Sequence, residues 1–193
     1  KVFLEGASLS PNLNEGTLMR DDLRVDDHIP TISPYSDALI INPSILNTGG
    51  SSTTGPIDND IVDWIWVELR DALSNTTVIE GHSALLQRDG DIVAIDGLSP
   101  LKFNQIEGDY YVVIKHRNHL GIMTANTISL SNFSTAVDFT DTNDQITFGT
   151  HAQTTFGTPF GVSAMWSGNI NNDNIIRYQG STNDINMLKD IVL

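Results

Sequence analysis

Ile61-Val-Asp-Trp-Ile-Trp-Val-Glu-Leu-Arg70 decides the fold. The run is dense in β-branched and aromatic residues, which suit a pleated, half-buried surface better than a helix. Side chains alternate across a strand, so Trp64 and Trp66 share one face while Ile65, Val67 and Leu69 share the other. The aliphatic face reads as core. The indole face reads in two ways: an outward platform on which sugars stack their apolar C–H faces, or the second covered face of a central strand.

Strand signals extend in both directions from this run. Thr77 to Gln87 is a second strand, and Arg88-Asp-Gly-Asp91 turns it into Ile92 to Ile95 with the residues a tight hairpin needs. Leu101 to Phe103, Tyr110 to His116, Ile122 to Leu130, Ala136 to Thr140 and Gln145 to Phe148 continue the series, and Lys1 to Leu4 opens it. Turn signals recur roughly every 8–12 residues, the spacing of an antiparallel sandwich. Helical periodicity is weak before residue 182. The pattern predicts an all-β, antiparallel, Ig-like β-sandwich over residues 1–160, with residues 161–193 appended to it. Asn42 to Asn59, rich in Ser, Thr, Gly, Pro and Asn, predicts a long surface loop, and the acidic stretch from Arg20 to His28 a solvated one.

The appended part carries the most specific chemistry. Asn169, Asn171 and Asp173 place oxygen side chains at alternate positions, followed by Ile175-Ile176. This is the first half of an EF-hand-type loop, with ligands at positions one, three and five and a backbone carbonyl at seven. Hard oxygen donors at that spacing suit calcium better than zinc or copper. Asn174 replaces the usual Gly at position six and is among the residues that tolerate positive φ. Position twelve is Gly180, so the closing acid is Asp184, four residues late. The expected Ca2+ ligands are Asn169, Asn171, Asp173, the carbonyl of Ile175, and Asp184, with an affinity of about 10⁻⁴–10⁻³ M because few charged ligands remain. A short helix follows, capped by Thr182 or Asn183, with Ile185, Leu188 and Val192 on one face.

Composition narrows the function classes. The 193 residues suffice for one domain with a core, and the net charge is −14 with the acids spread along the chain. Nucleic acids and anionic membranes need clustered Lys and Arg, so neither is an expected partner. There is no cysteine, which excludes disulfides and thiolate metal sites. No run approaches ~20 apolar residues, so no membrane span is expected. The chain opens at Lys1 without Met or a signal peptide, as expected of a processed or excised piece of a longer protein.

Several blocks together carry a resemblance: Val2-Phe-Leu-Glu-Gly6, Leu18-Met-Arg-Asp-Asp22, Ile61 to Asp71, Ala84-Leu-Leu-Gln-Arg-Asp-Gly-Asp91, Gly108 to Gly121, and the Asn/Asp-rich segment. Their order resembles a module near the C-terminus of large secreted Bacteroidetes proteins, hemagglutinin-like and exported through the type IX system. In that family the calcium segment commonly reads Gly-Asp-Val-Asn-Gly-Asp-Gly, as in dockerin loops, so Asn169, Asn172 and Asn174 are departures. The resemblance implies a secreted or cell-surface location and other modules of the same chain as partners. It implies no settled activity.

His116-Arg117-Asn118-His119 is the most reactive-looking cluster. Three readings are open: His116 and His119 share a metal, one of them serves as a base beside Tyr110 or Arg117, or the His and Arg side chains hydrogen-bond strand-end carbonyls and fix a loop. Asp138, Asp141, Asn143 and Asp144 read as turn chemistry. No serine elbow, phosphate loop, dinucleotide fingerprint or zinc helix is present. The expected function is a non-catalytic, calcium-stabilised extracellular module for carbohydrate binding or adhesion, with no catalytic residues. Its ligand, a glycan or cell-surface polysaccharide, would meet Trp64, Trp66, His116, Arg117 and His119. A structural spacer or protein-docking module is the alternative, and a polysaccharide-active enzyme using the His116 to His119 turn is a third reading.

Overall fold

The computed structural model describes residues 1–9, 18–48, 58–156, 161–171, 173–180 and 183–186. Strand β1 (Ile61–Asp71) forms the spine. It pairs antiparallel with β2 (Ser74–Gln87) on one side and with β4 (Gly108–His116) on the other. The β1–β2 hairpin is tight: Asp71 Oδ1 accepts the Leu73 N–H at 2.7 Å, the short-range side-chain bond that favours Asp in turns. β3 (Ile92–Val93) extends the sheet beyond β2, while β5 (His119–Met123) and β6 (Ile128–Leu130) pair with the two halves of β4. A separate antiparallel pair is made by β7 (Gln153–Phe156) and β8 (Val162–Met165). Among the described residues helix is confined to short turns, α1 (Glu5–Ser8), α2 (Asp22–Val25) and α3 (Ser44–Thr48), and a turn at 184–186.

The architecture is therefore mostly β and antiparallel, consistent with a β-sandwich. One face of the large sheet presents Ile65, Val67, Leu69, Leu86, Val112 and Ile114 to a core shared with Val2, Phe3 and Leu4 and with Ala164 and Met165 of β8. The opposite face buries Ile61, Trp64, Leu85 and Val93 against Ile29, Ile41 and Leu46. With both faces of β1 covered, the apolar residues from Ile61 to Val67 run on without alternation, Asp63 apart. Trp64 is 0 % exposed, and its indole N–H donates to the Pro30 carbonyl at 2.7 Å. The two-indole platform does not form. Trp64 belongs to the second core, and Trp66 alone reaches the surface.

The N-terminal residues bind three separate parts of the chain. Val2 N–H donates to the Gly90 carbonyl (2.9 Å), Phe139 N–H to Lys1 (3.0 Å) and Met165 N–H to Phe3 (2.8 Å). Gly90 sits at φ +89°, and a Cβ there would lie 2.9 Å from the Val2 carbonyl oxygen, so both backbone shape and space favour glycine.

Elsewhere the sheet departs from the sequence pattern. Ile122 to Leu130 divides into β5 and β6, because β4 is long enough to pair with two short partners in succession. Ala136 to Thr140 and Gln145 to Phe148 form no strand; Thr124↔Thr147 and Asp141↔Val162 are isolated bridges. β7 and β8, rich in Gln, Thr and Ser, arise instead from pairing with each other. β8 lies beyond residue 160 yet shares the main core through Ala164 and Met165. The acidic stretch is not simply solvated: Asp21 is buried, and Arg24 reaches it at 2.5 Å and Asp60 at 3.2 Å.

Trp66 owes its position to Gly81 on β2. A Cβ at Gly81 would fall 2.4 Å from Trp66 Cζ2, so the indole lies across a strand that offers no side chain. Gly81→Ala is expected to displace the ring and cost about 1–3 kcal/mol, the usual range for overpacking. A lower urea midpoint and altered tryptophan emission would report it; unchanged values of both would show that the ring does not rest there.

Candidate functional site

Asp63, His116, Arg117 and His119 converge where β1, β4 and β5 meet. By the two-residue period of β4, His116 follows Val112 and Ile114 onto the face of the first core. His116 and His119 are a register pair across the β4–β5 turn, and their rings lie 4.8 Å apart, nearly edge to face. The Asp63 carboxylate accepts from Trp64 N–H (2.8 Å), from Arg117 Nη2 (2.7 and 2.9 Å) and from His116 Nε2 (3.1 Å). A buried carboxylate needs such donors to remain ionised at acceptable cost.

The hydrogen bonds fix one arrangement of protons. His119 Nε2 accepts Gly6 N–H at 3.4 Å, so its proton is on Nδ1. That proton faces Asn118 Oδ1 (2.8 Å) and His116 Nδ1 (3.0 Å). His116 Nδ1 is then an acceptor, and its own proton sits on Nε2, directed at Asp63. A chain of polar groups thus runs from Asp63 through both imidazoles to the first helical turn.

The same turn holds the C-terminal segment. Gly168 N–H donates to the Asn118 carbonyl (3.0 Å), Leu120 N–H to Trp166 (2.8 Å), and Glu5 Oε2 accepts both Ser167 N–H (2.8 Å) and its hydroxyl (2.7 Å). His116 is 3 % and His119 6 % exposed, so neither imidazole meets a surface ligand freely. Tyr110 is not part of this group. It lies at the other end of β4, roughly 20 Å away at ~3.3 Å per residue, and its hydroxyl donates to the Ile106 carbonyl at 2.9 Å.

An open cleft of about 230 Å³ lies nearby, lined by Tyr35, Ser36, Trp66, Glu68, Lys115 and His116. Tyr35 and Trp66 stand 5.7 Å apart at a tilt of 42°. Glu68 is saturated: Oε1 accepts Trp66 Nε1 (3.0 Å) and Lys115 Nζ (2.6 Å), and Oε2 accepts Arg70 Nε (3.1 Å) and Nη2 (2.9 Å). Burial pushes its carboxyl up, but bonds from Lys115, Arg70 and Trp66 outweigh that and hold it below the usual range. Burial beside Asp63 raises the Tyr35 phenol well above its ordinary value. Ser36 is exposed, and Trp66 and Lys115 are half-buried.

The Asn/Asp-rich segment is closed by Asp184. Its Oδ1 accepts Ile170 N–H (2.8 Å) and Asn171 N–H (3.3 Å), and its Oδ2 accepts Arg177 N–H (2.8 Å). These backbone bonds, against a small opposing effect of burial, lower its carboxyl pKa. Asn171 Oδ1 and Asp173 Oδ1 accept the N–H two residues on, at 3.0 and 2.9 Å. Asn174 takes φ 63°, as a sixth position demands. Asn183 caps the turn that follows, accepting Asn186 N–H at 2.7 Å. Thr182, Leu188 and Val192 lie outside the described residues. Asn169 is 1 % exposed, and among the described residues neither its Oδ1 nor its Nδ2 has a hydrogen-bond partner. An orphaned buried amide is costly unless something meets it, and a hard cation on Oδ1 fits that donor. Among the described residues no three His, Asp or Glu side chains converge as metal ligands. Asp138 and Asp141 bond backbone N–H groups two residues on.

Comparison of the chain with protein-family models, curated proteins and solved structures finds no match. The family resemblance therefore rests on the sequence blocks themselves.

Burial, reinforced by the neighbouring His116, pushes His119 down to about 3 from an ordinary 6.5. Between those values the unfolded chain binds the proton and the folded chain does not. The stabilisation is complete above the ordinary value and is lost as pH falls towards the folded one. One proton allows ~1.4 kcal/mol per pH unit, so about 2 kcal/mol should be lost by pH 5. Urea midpoints at pH 7 and 5 measure the slope, and His119→Gln should flatten it. An equal slope in that variant would exclude His119 as its source. His116→Ala, which takes a donor from Asp63, should cost about 1–3 kcal/mol at pH 7.

Proposed function

We propose that the chain is a non-catalytic, calcium-stabilised, extracellular module of an exported protein, an Ig-like sandwich that binds carbohydrate or mediates adhesion at the Tyr35–Trp66 cleft. The observation that carries this reading is the cleft itself, where a half-buried indole stands beside a second ring and a fixed set of polar groups. Aromatic faces meet the C–H faces of sugars, while the polar groups orient the hydroxyls. The enclosure of His116 and His119 supports a role for them in holding the fold rather than in turnover. Of the expected ligand contacts, Trp66 lines the cleft, and His116 contributes to its wall. Arg117 is engaged with Asp63, and Trp64 and His119 are enclosed.

A protein-docking module remains the second reading. Leu73, Ile106 and Phe133 are 98 %, 82 % and 84 % exposed, in loops at the end of the large sheet where β4 begins. Three such side chains on one rim would suit an apolar partner.

A glycan array probed with wild type and Trp66→Ala tests the proposal. Binding should fall at least tenfold in the variant, with the melting temperature little changed. Full retention would move the ligand site elsewhere.

Calcium would be held by Asn169, Asn171, Asp173, the Ile175 carbonyl and Asp184, bridging segments that here meet through backbone bonds to Asp184. Bound to the folded state alone, it should add about 1.4 kcal/mol at ten times its Kd. Asn169→Asp offers a sharper test. With calcium the variant should bind more tightly than wild type; in EDTA it should be less stable, because a buried charge then lacks a partner. Equal melting temperatures in EDTA and ~10 mM calcium for both proteins would exclude the ion, since 10 mM exceeds the weak end of loop affinities.

A further inference from the structure

We infer that the Tyr35–Trp66 cleft prefers glycans bearing an isolated acidic substituent, a carboxylate or sulfate ester, over their neutral counterparts. The inference rests on the carbohydrate-binding reading and narrows it to a ligand class.

The argument is one of unused hydrogen-bonding capacity. Glu68 is the carboxylate that lines the cleft, and its two oxygens already accept four N–H donors, from Trp66, Lys115 and Arg70. It has little left for sugar hydroxyls. Arg70 does not line the cleft, and its Nε and Nη2 bond Glu68 while Nη1 donates to the Asn75 carbonyl at 3.0 Å. Lys115 differs. Its ammonium carries three protons, one of which is directed at Glu68, and its side chain is 38 % exposed. The Ser36 hydroxyl stands exposed on the same wall. Of the described groups that line the cleft, Lys115 thus offers charged N–H donors with capacity to spare beside an aromatic face, and acceptor-rich anions meet that pattern.

Glu68 has a second effect. By tethering Lys115 it removes much of the rotamer entropy that a free lysine would lose on binding. The ammonium is held in place before the ligand arrives. The chain's net charge of −14 sets a limit on the ligand. A field of that sign repels a polyanion, so the favoured ligand carries one acidic group on an otherwise neutral backbone.

The test is a glycan array that presents each of several backbones in neutral, singly uronate- or sialate-bearing and singly sulfated form, followed by titration calorimetry of matched pairs. Wild type should bind at least one acidic form about tenfold more tightly than its neutral counterpart, and the ratio should shrink as salt rises from ~0.05 to ~0.5 M. Lys115→Arg should keep the preference, and Lys115→Met should bring the ratio towards one. Thermal melts establish that each variant is folded. If wild type binds neutral and acidic forms equally and Trp66→Ala abolishes both, the acidic preference is overturned while the carbohydrate reading stands. If nothing on the array binds, with or without calcium, both fail together.

Discussion

The carboxylate of Asp63, sealed inside the molecule, is the constraint on which the rest of the architecture turns. An unpaired charge at that depth would cost several kcal/mol. Its neighbours must therefore bring donors, and they do so from separate places: Trp64 from its own strand, and Arg117 and His116 from the end of β4. Once His116 is oriented by Asp63, it dictates the tautomer of His119. His119 in turn meets the first helical turn at Gly6, and the backbone beside it receives Gly168. One buried carboxylate thus organises the junction of Gly6 and Gly168 with the sheet.

Much of this sheet was legible in the sequence, for a definite reason. β1, β2 and β4 are long and dense in β-branched and aromatic residues, so local preference and burial agree. β7 and β8 were not legible. Gln153-Thr-Thr-Phe156 and Val162-Ser-Ala-Met165 are short, and their strand character comes from a partner rather than from their own composition. Trp64 illustrates the same limit. Alternation correctly set it on the face of Trp66, but whether that face was covered depended on Ile29, Ile41 and Leu46, in a stretch without periodicity.

The candidate site was legible in pieces. His116 and His119 stood out by spacing, but the carboxylate that organises them lies 53 residues earlier, and no spacing rule connects the two. Glu68 and Lys115 gave no signal either, because their pairing depends on the β1–β4 register. The Asn/Asp-rich segment was the reverse case. Its positive φ at Asn174 and its cap at Asn183 followed from local chemistry alone. The role of Asp184 as acceptor for three backbone N–H groups required the loop to be seen closed.

The way the first residues are pinned bears on how the chain must fold. The Lys1 amino group donates to Val137 across 136 residues, and Leu4 bridges Met165 in parallel. Contacts of such long sequence separation demand closure of very large loops before they return any stability, which slows folding. A chain emerging from a ribosome could not complete this core until β8 had followed. Until then, β1 and its neighbours would leave exposed the face that Ala164 and Met165 cover. β8 would then act as the latch that commits the core to the folded state.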